Sequence, residues 1–156
     1  SPIGELLLTA EDGSLTGLYT AEHTRAAAAP KGEHDPAAFT DLCTQLDDYF
    51  AGKLRAFEAT IRPVGTPFQN QVWDCLMTIP YGHTRTYSDI AKFIGSPDSV
   101  RAVGAANGAN PISIIVPCHR VIAKGGALQG YAGGLSTKQW LLEHEARHAG
   151  VALMLG

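Results

Sequence analysis

Short apolar runs separated by turn residues make up the start of the chain, and this pattern predicts a small sheet. A turn and an apolar strand occupy residues 1–10. Asp12-Gly13, a dipeptide typical of tight hairpins, follows, and residues 15–19 form the returning strand. Residues 57–61 alternate apolar and polar side chains and predict a third strand.

A helix is predicted between the second and third strands. Asp35 is its expected N-cap, Pro36 its first residue and Gly52 its end. Residues 26–32 are small and polar and predict a loop before it. Its apolar side chains recur at helical spacing: Phe39, Leu42, Cys43, Leu46, Tyr49 and Phe50. Cys43 is therefore expected in the core, and no catalytic residue is predicted in this part of the chain.

A second helix is predicted after a short linker. Thr66, Pro67 and Gln69 have the spacing of a capping box with proline in the first turn. Trp73 is expected to pack beside its apolar stripe, and Cys75 lies within that stripe and is expected in the core. The stripe consists of Phe68, Val72, Cys75, Leu76 and Ile79.

Two shorter helices joined by a tight turn follow. Thr86 and Asp89 form another capping box at the start of a helix over 87–94, which Gly95 ends. The next helix is expected from 97 to 107. This is the order of elements in a helix-turn-helix, a DNA-binding motif whose outline many other helix pairs share.

Small residues with almost no side chain dominate the second helix of this pair. Close packing against another helix explains such a composition, and so does close approach to a groove of nucleic acid. Arg101 is its one long cation, and a surface salt bridge and a contact with DNA are both compatible with it. The small residues are Ala102, Gly104, Ala105, Ala106, Gly108 and Ala109.

The composition and the charge divide the chain into two parts. Of 156 residues, 45% are hydrophobic, which suits a domain with a sizeable core. Residues 1–61 contain 4 Lys/Arg and 10 Asp/Glu, net −6, whereas residues 62–156 contain 8 and 5, net +3. DNA contact is therefore compatible with the second part only. We expect an α/β (α+β) fold, with a small N-terminal lobe of antiparallel sheet and helix and a mostly helical C-terminal domain that contains the helix-turn-helix.

Cysteine usage and hydropathy restrict the setting. The three cysteines are an odd number without paired spacing, which argues against a disulfide scaffold and for a reducing compartment. No spacing of Cys or His suggests a zinc site, and no metal is expected. No apolar run approaches the ~20 residues of a membrane span, and no secretory signal is seen. We expect a cytoplasmic protein without a membrane partner.

The candidate chemistry lies in residues 114–122, Ile-Ile-Val-Pro-Cys-His-Arg-Val-Ile. The apolar flanks predict a short buried extended segment, and Pro117 must turn the chain or leave a ladder. Cys118 would be a nucleophile if a neighbouring base or cation lowered its pKa, and His119 is such a base. The alternatives are a core cysteine for Cys118 and a solvated turn for His119 and Arg120.

The last helix adds a carboxylate. Its start is predicted at residues 136–139 by a capping box, with Leu135 and Trp140 spaced as a hydrophobic staple. Leu141 and Leu142 define its buried face, and Glu145 lies on that face. A buried carboxylate needs a partner, which a histidine near the thiol would provide. The other two histidines of this helix, His144 and His148, are expected at the surface.

The string Pro-Cys-His-Arg-Val resembles the active-site motif of the O6-alkylguanine-DNA alkyltransferases, also called methylated-DNA–protein-cysteine methyltransferases. Asn110-Pro111 before it and Tyr131-Ala132-Gly133-Gly134 after it extend the resemblance. It covers residues 66–156 with specific motifs and residues 1–61 loosely, where the family has a ribonuclease H-like α/β lobe. The resemblance implies DNA repair by single, irreversible transfer of an alkyl group from O6 of guanine to Cys118. O4-alkylthymine is a further candidate substrate, and no cofactor is implied.

The resemblance also implies the roles of individual residues. In the reaction, His119 deprotonates Cys118 through a water, Glu145 hydrogen-bonds His119, and Asn110 couples the helix-turn-helix to the nucleophile. On double-stranded DNA, the second helix of the pair enters the minor groove and Arg101 fills the space of the extruded base. The full DNA-contacting set is Arg101, Ala102, Ala105, Tyr87, Thr86 and Ser99.

A pocket for the flipped base is implied as well. Tyr131 stacks on the guanine, Tyr87 donates a hydrogen bond to it, and the carbonyls of Val121 and Cys118 accept from its exocyclic amine. Ala132 and Gly133 complete the wall of this pocket. Family members often have serine in place of Ala132, so the alkyl-group preference is expected to differ.

The resemblance also implies a monomer. We expect it to cluster along DNA and to associate with a prokaryotic-type nucleoid.

Other functions remain open from the residues alone. A sensor of alkylated bases would bind without transfer, but related sensors lack the cysteine that is present here. A cysteine hydrolase could use Cys118 and His119, but it leaves the helix pair and Arg101 unexplained. A thiol redox sensor needs a resolving cysteine, and the other two cysteines are expected in the core.

Overall fold

A computed structural model describes residues 1–23, 32–128 and 131–153. The fold is mixed, with a two-stranded antiparallel sheet near the N-terminus and a mostly helical C-terminal part, as the sequence predicts. Short 3-10 turns occur at Pro36–Phe39 and Cys118–Arg120. The strands and helices are β1 (Leu6–Glu11), β2 (Ser14–Thr20), α1 (Thr40–Phe50), α2 (Pro67–Leu76), β3 (Arg85–Thr86), α3 (Tyr87–Phe93), α4 (Val100–Gly108), β4 (Val121–Ile122) and α5 (Leu135–Ala149).

The N-terminal hairpin has the predicted form. β1 pairs with β2 in antiparallel register, with Leu6 opposite Thr20 and a bulge between Thr9 and Ala10. β2 then connects the two parts of the chain, because Leu18 forms an isolated bridge with Ile112. The hairpin thereby anchors the segment that leads to Cys118.

The prediction of a third strand at 57–61 is wrong. Only Ile61 forms a bridge, with Leu15 of β2. The backbone of Glu58 is instead bonded on both sides by the Gln45 side chain of α1, at 2.8 Å for each bond. A side-chain amide thus satisfies the backbone groups that a neighbouring strand would have paired.

The start of the first helix also differs from the prediction. The Asp35 side chain makes no capping hydrogen bond, and the chain passes through the 3-10 turn at Pro36–Phe39 before α1 begins at Thr40. Cys43 is exposed, not in the core, because the buried face of α1 is formed by Leu42, Leu46 and Tyr49. The loop predicted at 26–32 lies outside the described residues, apart from Gly32.

Two of the three capping boxes predicted in the C-terminal part are confirmed. In α2 the Thr66 hydroxyl accepts from Gln69 N at 3.1 Å, while Gln69 Oε1 accepts from Thr66 N at 2.9 Å. Thr86 and Asp89 make the same reciprocal bonds at the start of α3. The Trp73 indole donates to Ala106 O at 2.8 Å, which fixes α2 against α4.

The helix-turn-helix is present, but its second helix is shorter than predicted. Residues 96–99 form a turn in which Ser99 N donates to Ser96 O at 2.9 Å, so α4 begins at Val100 and not at 97. Gly95, with φ 78°, takes the left-handed conformation that ends α3. The turn places the exposed face of α4 beside the start of α3.

The last helix corrects two further expectations. α5 begins at Leu135 after Gly134, no side chain caps it, and Leu135 is 49% exposed, so neither the capping box nor the staple is present. His144 is buried, not at the surface, because its Nε2 contacts Tyr49 O at 2.8 Å. Within the described residues, no helix has the length and apolarity needed to cross a bilayer.

Candidate active site

Cys118 is the first residue of the buried 3-10 turn Cys118–Arg120, which leads directly into β4. Its backbone N–H donates to Val116 O at 2.8 Å, and the residue is only 4% exposed. β4 pairs in parallel with β3, which precedes α3. The thiol is therefore fixed beside the first residues of the helix-turn-helix.

Asn110 organises the segment before the nucleophile. Its Nδ2 donates to Val116 O at 2.8 Å, and its Oδ1 accepts from Ile112 N at 3.0 Å. This closes residues 112–116 into a compact turn, with Ile114 at φ 72°, where an extended segment was predicted. The side chain of Asn110 also hydrogen-bonds Cys118.

Asn107 is a second link that the sequence prediction missed. It lies in the last turn of α4, is buried, and donates from Nδ2 to Cys118 O at 3.2 Å. The helix with the small exposed residues is thus in direct contact with the nucleophile turn. A polar side chain beside the small residues of this helix was the available signal, because a buried amide needs partners.

Glu145 is the centre of a buried network of hydrogen bonds. Its Oε2 accepts from Tyr49 Oη at 2.6 Å and contacts His119 Nε2 at 2.7 Å. Arg120 donates from Nε to Oε1 at 2.7 Å and from Nη2 to Oε2 at 3.1 Å, and Gly82 N lies 3.4 Å from Oε1. The inward carboxylate and its histidine partner agree with the predicted contact, whereas Tyr49 and Arg120 were not predicted as members.

The network determines which nitrogen of His119 can accept a proton. Burial alone would raise the pKa of Glu145, but the hydrogen bonds and charges of His119 and Arg120 hold it well below its usual range. An ionised carboxylate only accepts, so Nε2 of His119 carries the hydrogen. Nδ1 of His119 is buried and has no hydrogen-bond partner in the described part of the chain. Because burial lowers the pKa of His119 despite the carboxylate, the imidazole is a neutral base with Nδ1 as acceptor.

The thiol itself is not activated in the way the sequence suggested. Burial raises the pKa of Cys118, although a hydrogen bond from Asn110 and the charge of Lys138 act in the opposite direction. The resting pair is therefore a neutral thiol and a neutral imidazole. A base must remove the proton, and His119 is the adjacent candidate.

Lys138 is a buried cation that the sequence prediction missed. It is fully buried on α5, and its Nζ donates to Val121 O and lies 3.5 Å from the Tyr87 hydroxyl. Burial lowers the pKa of Lys138 to about 8, partly offset by Cys118. Burial, followed by the charge of Cys118, raises the pKa of Tyr87 to about 12, so this phenol stays protonated and can donate.

Three residues of the predicted base pocket, Tyr87, Tyr131 and Val121, lie near the same thiol. Tyr131 and Val121 are buried, and Cys118 contributes to raising the pKa of Tyr131 after burial itself. Gly133 is packed so closely that a Cβ atom there would lie 2.5 Å from Thr20 Oγ1 and 2.6 Å from the Tyr131 ring. Ala132 is half-buried between them. Residues 129 and 130, which precede Tyr131, lie outside the described residues.

The predicted DNA-contacting residues form one side of the helix pair. Arg101, Ala102 and Ala105 are exposed on α4, and Ser99 and Thr86 are half-exposed at the starts of α4 and α3. Tyr87 is buried, unlike the other predicted DNA-contacting residues. The roles of these residues stay predictions.

Comparisons with known proteins agree with this arrangement. Residues 67–147 match the family model of the 6-O-methylguanine DNA methyltransferase, DNA binding domain, and residues 1–63 match that of the 6-O-methylguanine DNA methyltransferase, ribonuclease-like domain. A methylated-DNA–protein-cysteine methyltransferase of Mycobacterium tuberculosis is 49% identical over 155 residues, which is 99% of this chain and 94% of the relative. One of Methanosarcina acetivorans is 47% identical over 146 residues, 93% of this chain and 94% of the relative.

Solved structures give the same result. The crystal structure of Mycobacterium tuberculosis OGT in complex with DNA has a TM-score of 0.88 and 50% identity, with 95% of this chain and 90% of that chain covered. An O6-methylguanine DNA methyltransferase of Methanococcus jannaschii has a TM-score of 0.66 and 29% identity, with 90% and 87% covered. Both parts of the chain are thus matched over nearly their full length, and the protein belongs to the 6-O-methylguanine DNA methyltransferase family.

Proposed function

We propose that this protein repairs DNA by moving the alkyl group of O6-alkylguanine onto the sulfur of Cys118, once per molecule. The observation that carries the proposal is the buried set of Cys118, His119 and Glu145. In it a neutral base, whose Nδ1 has no hydrogen-bond partner among the described residues, is adjacent in sequence to a neutral thiol. The near full-length similarity to methylated-DNA–protein-cysteine methyltransferases supports the same substrate class.

The chemical step is a direct displacement at the alkyl carbon. His119 takes the thiol proton of Cys118 through a water, the sulfur forms a bond to the carbon, and the bond between that carbon and guanine O6 breaks with its electron pair left on oxygen. The protonated Tyr87 hydroxyl donates a hydrogen bond to the guanine as negative charge develops on it. Overall the thiol loses a proton, the guanine gains one, and no cofactor is consumed. The thioether formed has no route back, so each molecule reacts once.

The helix pair supplies access to the base. A guanine stacked in a duplex cannot bring its O6 substituent to a buried sulfur, so the nucleotide must be extruded. The exposed side of α4 presents Ala102 and Ala105, which allow a close approach, and Arg101, which is planar and cationic and suits the space left in the stack. Contact through the minor groove, with Thr86 and Ser99 at its edge, is part of this proposal.

The pocket and the setting complete the proposal. Tyr131 stacks on the flipped base, Ala132 and Gly133 line its wall, and the carbonyls of Val121 and Cys118 accept from its exocyclic amine. Asn110 couples the helix pair to the nucleophile turn.

We also propose that residues 1–61 and 62–156 are the two structural units. The protein would act in the cytoplasm as a monomer that can cluster on DNA.

The test is a mass spectrum of the protein after incubation with an oligonucleotide that contains O6-methylguanine. One added methyl on the Cys118 peptide, at one equivalent and no more, is expected. A Cys43→Ser variant should react equally and a Cys118→Ser variant not at all. Arg101→Ala should react slowly even at saturating oligonucleotide. An unmodified Cys118 with the oligonucleotide bound would refute transfer in favour of lesion sensing, and no modification with no binding would refute both.

A further inference from the structure

Tyr49 connects the N-terminal part of the chain to the candidate active site. It lies in the last turn of α1 and is fully buried. Its hydroxyl donates to Glu145 Oε2 at 2.6 Å, and its carbonyl oxygen is 2.8 Å from His144 Nε2. Tyr49 therefore contacts two successive residues of α5, although no catalytic role was predicted for the first 61 residues.

The ring of Tyr49 is held on several sides. Phe50 and Tyr81 meet it edge-on, with ring centroids 5.3 and 6.2 Å away. Phe57 and His144 are tilted against it at 5.5 and 5.4 Å. A ring packed in this way keeps its hydroxyl aimed at the carboxylate, because the aromatic neighbours leave no alternative orientation of similar packing.

The hydrogen bond of Tyr49 differs from that of most buried hydroxyls in the acceptor that it uses. A buried tyrosine needs a partner, and any nearby carbonyl could be one. Tyr49 instead shares Oε2 with His119 Nε2, the contact that fixes the tautomer of the base. Burial, then the charge and hydrogen bond of Glu145, raise the pKa of Tyr49 well above its usual value, so it is always the donor.

We infer that Tyr49 is a positioning residue of the alkyl-transfer reaction: its hydroxyl orients the Glu145 carboxylate and reduces the negative charge that Oε2 offers to His119. The inference rests on the proposed function, because it assigns a role within that reaction. It also gives the N-terminal part of the chain a function in the chemistry.

The sign of the effect follows from the shared oxygen. Without the Tyr49 hydroxyl, Oε2 interacts more strongly with the Nε2–H of His119 and stabilises the protonated imidazole. The pKa of His119 then rises, and the neutral base needed for Cys118 is lost at a higher pH. The other titratable and charged groups around this pair would be unchanged: Cys118 and Arg120 in the same turn, Lys138 and His144 on α5, and Tyr81 in the loop after α2.

The test is the pH dependence of alkyl transfer in Tyr49→Phe, which keeps the ring and removes the hydroxyl. The rate constant is measured in single turnover at saturating O6-methylguanine oligonucleotide, between about pH 5 and pH 9, with the Kd for DNA determined in parallel. The acid limb is expected to move upward by about half to one pH unit, while the Kd changes less than about twofold. Tyr81→Phe is the matched control, since its buried hydroxyl has no hydrogen-bond partner in the described residues; its profile should overlay the wild type.

An isosteric change tests the same idea with the ring and hydroxyl in place. Difluorotyrosine at position 49 is a stronger hydrogen-bond donor and should move the acid limb downward. A Tyr49→Phe profile that overlays the wild type, with only a lower melting temperature, would overturn the inference and leave Tyr49 a packing residue. A fluorinated protein with an unmoved limb would overturn it as well. Failure of the wild-type protein to become methylated would refute the proposed function instead.

Discussion

Replacing Glu145 with glutamine gives the strongest test of the buried network. The change keeps the size of the side chain but removes its charge and one hydrogen-bond acceptor. Glu145 is buried, and its two oxygens accept from Arg120 and Tyr49 and contact His119. In the variant the Arg120 guanidinium would remain buried without an anion, with its bond to Ile79 O and a single neutral amide oxygen in place of the carboxylate.

The expected cost follows from that unpaired charge. Removing one partner of a buried ion pair destabilises a protein by about 3–5 kcal/mol. Total stabilities of single domains are about 5–15 kcal/mol, so Glu145→Gln should lose a large share of the free energy of unfolding. For a chain of this size, that corresponds to a drop in melting temperature of roughly 6–20 °C.

The pH dependence has a defined sign. Burial opposes ionisation of Glu145, but His119 and Arg120 hold its folded-state pKa well below the unfolded value. The stability contributed by this carboxylate is therefore fully present above the unfolded pKa of about 4.3 and is lost as the pH falls through the folded pKa. The share of the stability difference between the wild type and Glu145→Gln that comes from ionisation of Glu145 should shrink in acid. The share that comes from His119 should grow, because the carboxylate opposes the effect of burial on the pKa of His119.

Urea denaturation at about pH 7 and at about pH 3.5 measures both quantities. Glu143→Gln is the matched control, because Glu143 is an exposed carboxylate on the same helix whose described partner is Gln139. It should cost less than about 0.5 kcal/mol. A loss below about 1 kcal/mol for Glu145→Gln at about pH 7 would refute the network as described.

Two further predictions use the other buried groups. The pKa of Lys138 is lowered to about 8 by burial, so the unfolded chain holds a proton that the folded protein releases between about pH 8 and pH 10. The melting temperature of the wild type should rise relative to that of Lys138→Met as the pH increases over this interval. A constant difference between the two melting temperatures would contradict the lowered pKa of Lys138. Iodoacetamide should label exposed Cys43 before buried Cys75 and Cys118, as peptide mass spectrometry can measure. Labelling of Cys118 first would mean that its thiol is accessible to solvent.

The parts of the fold that sequence patterns predicted correctly are those set by neighbouring residues. The capping boxes at Thr66 and Thr86 need a partner only three residues away, so spacing could predict them. The same spacing at 136–139 gave no box, because α5 already begins at Leu135. The strand predicted at 57–61 failed for the opposite reason. Alternation shows that a segment can pair, but a strand forms only where a partner strand is available. In this segment the Gln45 side chain of α1 hydrogen-bonds the backbone of Glu58 instead.

The candidate site shows the same division. Cys118, His119 and Glu145 could be found because two are adjacent in a motif and the third lies on a buried helix face. Lys138 could have been found by the same reasoning, since it lies three positions before Leu141 and four before Leu142. Lysines are mostly solvent-exposed, so the residue type gives no signal of burial by itself.

The role of Tyr49 could not have been read from spacing at all, because 96 residues separate it from Glu145. Its helical position predicts a buried ring but not the acceptor of its hydroxyl. That acceptor lies in the segment that matches the DNA binding domain model, whereas Tyr49 lies in the segment that matches the ribonuclease-like model. Because the oxygen that orients His119 is also held by α1, the base depends on both matched segments. Changes at the end of α1 should therefore alter the pH dependence of alkyl transfer and not only the stability of the protein.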